Sequence, residues 1–137
     1  MSSEKIVEEL ERAVHRHSIL VKRCLLALRR ARRDRGALEP ANTLLKRLAL
    51  VSRRIESLIK SSSEPSDIAA DRRSDLELLL FYLVEASLNE ELEVWETALR
   101  LNRIGLSLLD ESRLTTEIER VRRLRNEALN LFEKVKS

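Results

Sequence analysis

Histidine, cysteine and clustered carboxylates are the side chains with chemistry to offer in this chain, and they are few. His15 and His17 are the only histidines and Cys24 the only cysteine. Residues two apart on a helix point away from each other, so His15 and His17 cannot share one metal ion. Glu11 and His15 are neighbours on a helix face, but no second acid–histidine pair closes a site, and a di-iron bundle needs Glu-x-x-His on two helices. We therefore expect no metal and no cofactor. His17 falls on an apolar stripe, where the expectation is a buried, hydrogen-bonded imidazole that helps fix helix register. Cys24 lies on the same stripe with no acid–histidine pair spaced to activate it, and reads as a structural thiol. Glu90, Glu91, Glu93 and Glu96 are spaced mostly for a solvated helix face. Glycines at 36 and 105 alone exclude a glycine-rich phosphate loop. No catalytic residue and no small-molecule substrate are assigned.

The strongest pattern is basic. Arg29, Arg30, Arg32, Arg33 and Arg35 crowd around Asp34, Arg53 adjoins Arg54, and Arg120, Arg122, Arg123 and Arg125 form a late cluster. Residues 1–62 hold 15 Lys/Arg against 7 Asp/Glu, residues 63–119 hold 5 against 14, and the overall charge is only +3. Opposed fields of this kind pair with each other, with a second copy, or with an acidic partner. One reading salt-bridges the arginines to the Glu-rich segment between residues 85 and 96. The other has Arg29, Arg30, Arg32, Arg33, Arg35, Arg53, Arg54, Arg122 and Arg123 grip DNA or RNA backbone without reading sequence. Helix-turn-helix spacing, a zinc knuckle and an aromatic platform for base specificity are all missing.

Arg12 and His17 have an Arg-x4-His spacing that resembles the motif of the HEPN group of helical ribonucleases and nucleotide-binding partners. The resemblance covers six residues and implies Arg12 and His17 acting on RNA across a dimer. The family carries its motif late in the domain, whereas here it lies in the first helix. Arg125-Asn126 is similar to the start of such a motif, but no histidine follows it.

The elements that position these residues are helical. Two glycines, two prolines and a wealth of Leu, Arg, Ala and Glu predict an all-α chain, one domain over residues 1–137. Heptads predict a four- to five-helix antiparallel bundle with coiled-coil-like seams, helices at about 3–35, 41–61, 66–86, 88–109 and 115–136, and homo-oligomerisation. The first seam runs Val7, Leu10, Val14, His17, Val21, Cys24, Leu28 and Ala31; the last runs Val121, Leu124, Ala128, Leu131 and Val135. Between them a heptad joins Leu78, Phe81, Glu85, Leu88, Leu92, Trp95, Leu99, Asn102, Leu106 and Leu109. Nothing breaks a helix from Ser66 to Ile104, but Ser87-Leu88-Asn89-Glu90 reads as a capping box and favours a break or kink there. Asn102 either sets register or oligomer state on that seam, or lies at its edge. Leu76 to Val84 is apolar at all but Glu77, so that segment is central or covered by another chain. Leu76, Leu79, Leu80, Phe81, Leu83 and Trp95 are the expected protein interface, Trp95 reading as a core residue on the stripe of Leu99 and as a binding hot spot if exposed.

One cysteine, no apolar run of membrane-spanning length and no signal-peptide core favour a cytoplasmic protein with no membrane partner. An absence of glutamine and 20 arginines to 6 lysines favour a thermophilic source. The expected function is a non-enzymatic interaction or assembly module that associates with itself or another helical protein. A sequence-independent nucleic-acid binder is the alternative, and a HEPN-like ribonuclease the third.

Overall fold

A computed structural model describes residues 2–62 and 68–136, and its elements are all helical. Helix α1 (Ser3–Arg33) starts where Ser2 Oγ accepts from the Lys5 amide, and Arg30, Arg32 and Arg33 face the negative end of its dipole. Asp34 accepts from the Gly36 amide at 2.9 Å and starts one 3₁₀ turn (Arg35–Ala37) that leads directly into α2 (Leu38–Ser61). Pro40 sits in the first turn of α2, where its missing N–H costs nothing. Residues 63–67, which include the expected start of the third helix at residue 66, lie outside the described residues.

Residues 70–103 form one continuous rod of about 51 Å. It comprises α3 (Ala70–Tyr82), a π turn (Leu83–Ser87) and α4 (Leu88–Arg103), with Leu83 and Leu88 both in right-handed helical conformation. The chain does not break at the Ser87 capping box, but α4 begins at the expected residue 88, directly after the irregular turn. Ser87 makes no capping bond, because its hydroxyl is used elsewhere, and the irregularity is taken up by the wider π turn. Val84 O there accepts from Asn89 Nδ2 at 3.3 Å and Arg125 Nε at 3.1 Å. The rod ends at Arg103 rather than 109, with Gly105 at φ 105, a left-handed value that favours glycine. Asp110 Oδ1 accepts from the Arg113 amide and opens α5 (Glu111–Lys136), four residues before the expected start.

Buried residues from every helix join one apolar core. The α1 and α2 pair is antiparallel, bringing Arg54 within 3.9 Å of Glu9. The rod lies beside α1 in the same direction, with Arg72 against Glu11 and Tyr82 against Ser18, while α5 returns along the rod from Arg103–Glu111 to Arg73–Val135. Both outer seams, on α1 and α5, are buried as the heptads predict. The rod's seam differs: Leu76, Leu80, Leu83, Ser87, Glu91 and Ala98 are buried, whereas Leu78, Phe81 and Glu85 are exposed. The extra residue of a π turn rotates the phase of a helix, so one heptad cannot run through both halves.

Candidate functional site

Where the helices meet, the core is polar. Glu91 is fully buried and its carboxylate accepts four bonds from four helices. His17 Nε2 of α1 (2.7 Å) and Ser52 Oγ of α2 (2.8 Å) reach Oε1. Trp95 Nε1 of α4 (2.8 Å) and Arg120 Nη2 of α5 (3.5 Å) reach Oε2. Arg120 continues the cluster to Glu117 at 2.7 Å, and Arg53 closes it from α2 on the other Glu117 oxygen. Burial alone pushes the Glu91 carboxyl up, but the bonds from His17 and Trp95 and the charge of Arg120 outweigh it and hold the group below its ordinary value. An ionised Glu91 only accepts, so His17 Nε2 donates to it. His17 Nδ1 lies 2.6 Å from Ser87 Oγ, the hydroxyl's one partner among the described residues.

Hydroxyl, imidazole and carboxylate thus stand in the order of an acyl-transfer relay. The enclosure works against chemistry: Ser87 is 2% exposed and His17 and Glu91 are at 0%, so a substrate has no path to the hydroxyl. The cluster ties side chains of α1, α2, α4 and α5 to one carboxylate. Cys24 lies in the same interior, and burial, with the Glu91 charge, pushes its thiol up to about 12, far from a thiolate at neutral pH. No group of three metal-ligating side chains occurs among the described residues. Arg12, exposed and paired with Glu9 at 3.2 Å, and His17, enclosed by Ser87 and Glu91, do not converge on a common site.

The second feature is a basic surface. Arg29, Arg30, Arg32, Arg33 and Arg35 are exposed and none makes an ion pair among the described residues. With Asp34, four of them line a cleft of about 740 Å³ at the end of α1. The remaining expected phosphate contacts divide. Arg53 is held by Glu117, Arg54 lies near Glu9 and Arg122 lies 3.7 Å from Glu96, while Arg123 is exposed without an ion pair among the described residues. Only Arg122, then, reaches the Glu-rich segment from the exposed clusters; Arg120 reaches it from inside.

Burial corrects the interface reading of four residues and bears out the core reading of Trp95. Leu76, Leu80, Leu83 and Trp95 are all at 0% exposure, because the rod's inner face is covered by the chain's own helices. Leu79 is half-buried against the core and Phe81 stays 54% exposed, its ring 6.2 Å from that of Phe132. Asn102 does not set register between helices. Its Nδ2 donates to Leu109 O at 2.5 Å and its Oδ1 accepts from the Leu108 amide at 2.9 Å, pinning the loop before α5.

Sequence reasoning found His17 but not its partners. Ser87, Glu91 and Trp95 are spaced by four residues, a stripe visible in the sequence but masked by the acidic residues around Glu91. Glu117 and Arg120, three apart, were hidden in a run of surface charges. No family model, curated protein or solved structure matches the chain.

Proposed function

We propose that the protein is a non-enzymatic helical bundle that serves as an interaction module, offering the basic surface of α1 and α2 to an acidic partner. The observation that carries this reading is that the arginines from Arg29 to Arg35 have no carboxylate partner among the described residues. A dense like-charge cluster costs self-repulsion, which is relieved when an anionic surface covers it. The polar groups with catalytic potential support the same reading, since they are enclosed and committed to one another.

Nucleic-acid backbone is the second reading, favoured by the same free run together with Arg123. It is weaker because Arg53, Arg54 and Arg122 are engaged by Glu117, Glu9 and Glu96. Fluorescence anisotropy separates the two, with a labelled acidic polypeptide and a labelled random duplex titrated from about 50 to 300 mM salt. Polypeptide binding that is lost when Arg29, Arg30, Arg32 and Arg33 are replaced by serine supports the proposal. Duplex binding that falls by orders of magnitude over that range, with no polypeptide binding, supports the second reading. Neither ligand binding at the lowest salt sinks both.

A further inference from the structure

Two surfaces left open by the fold complement each other, and their pairing rests on the reading of the α1–α2 surface as one that accepts an acidic partner. Along the outer side of this helix pair lie hollows of about 500 and 560 Å³ that share Arg23. Their lining includes Ile19, Leu50 and Leu26, exposed at 41%, 68% and 62%, between the side chains of Arg16, Arg23 and Arg47. None of these three arginines makes an ion pair among the described residues. On α3, Leu78 and Phe81 are exposed at 70% and 54%. Glu77 and Phe81 are four apart on α3, Glu85 follows in the exposed part of the π turn, and neither glutamate has an ion pair among the described residues.

We infer that α3 of one copy docks into the α1–α2 groove of a second copy. Leu78 and Phe81 cover Ile19 and Leu50, while Glu77 and Glu85 meet Arg16, Arg23 and Arg47. The match is double, apolar on apolar and acid on base. A phosphate backbone would neutralise the arginines but leave the aliphatic floor of the groove bare. A groove-to-groove contact between copies would set arginine against arginine. Because each copy brings a different surface to the contact, the interface is heterologous, and every docked pair keeps one free groove and one free α3 for further growth into a ring or a filament. Helix-in-groove docking of this kind depends on a few apolar anchors at the centre with charges around them.

Sedimentation velocity on the full chain at about 100 µM in low salt tests this, a concentration that captures micromolar self-affinity. The wild type is expected to form species larger than a monomer. Leu50→Glu, which spoils the groove, and Leu78→Lys, which spoils α3, are each expected to be monomeric, weakening association by about a thousandfold. Both positions face solvent, so an unchanged thermal transition checks that the variants fold. The decisive sample is their mixture: it retains one good groove and one good α3, and is expected to give a species of two chains and nothing larger. A monomeric wild type overturns the inference, and so do oligomers that persist in either variant or a mixture that stays monomeric. These results leave the basic-surface reading standing, since the anisotropy titration with the acidic polypeptide judges it separately.

Discussion

Glu91 decides what happens at the scale of single residues. It is the common acceptor for His17, Ser52, Trp95 and Arg120, so removing it strands several buried donors at once. Glu91→Ala is expected to cost about 3–5 kcal/mol in a urea unfolding experiment, the range for breaking a buried charge pair on one side. Its lowered pKa fixes the pH response as well. A carboxylate whose folded value is depressed stabilises the fold above its unfolded value, about 4.3, and that contribution is lost as pH falls from there through the folded value. Stability should therefore decline below about pH 4.3, and Glu91→Gln should flatten that decline; an equally steep acid limb in the variant would show that other carboxylates carry it. Cys24 gives a third expectation. With its thiol pushed up to about 12 inside the core, it should resist a thiol reagent at neutral pH and react in full only once the chain is unfolded. The position of His17 was legible because it interrupts a clean apolar heptad. Glu91 was not, because acids stand beside it at residues 90 and 93, and sequence does not say which member of an acidic cluster turns inward.

At the scale of elements, the outer helices were legible and the rod was not. The α1 and α5 seams follow one period from end to end, whereas the π turn at Leu83–Ser87 resets the phase between Leu80 and Glu91. Sequence carries no simple signature of that extra residue, and the apolar run from Leu76 to Val84 fits either phase. The same limit hid the role of Asn102, which reads as a seam residue when the helix is drawn to 109 and as a loop clamp once it ends at Arg103. Asn102→Ala is expected to cost about 1–3 kcal/mol, since it removes two hydrogen bonds and leaves the Leu108 amide without its acceptor. Amide exchange should show the loss locally, with Leu108 exchanging faster while α1 protection is unchanged. Uniform loss across the chain would mean that the loop is part of the global folding unit.

The whole molecule combines a hydrogen-bonded polar cluster around Glu91 in its interior with an exposed charge excess. These features should separate in experiment. Arg32→Ser with Arg33→Ser removes two exposed charges, unpaired among the described residues, from the last turn of α1, so stability should change by about 1 kcal/mol or less, mostly through the helix dipole. Binding of an acidic polypeptide should fall in the same variant. A large loss of stability would instead place these arginines in the fold's own electrostatics. The buried cluster also bears on how such a chain is able to change over generations. Glu91 answers to one side chain on each of α1, α2 and α5 as well as to Trp95 on its own helix, so a substitution at any one of them disturbs the environment of the others. Exchanging the entire set for well-packed apolar residues is often neutral or stabilising, while each partial exchange strands a buried charge or donor. The interior is thus separated from its apolar alternative by a valley of less stable intermediates, and single-step drift tends to keep the polar version in place.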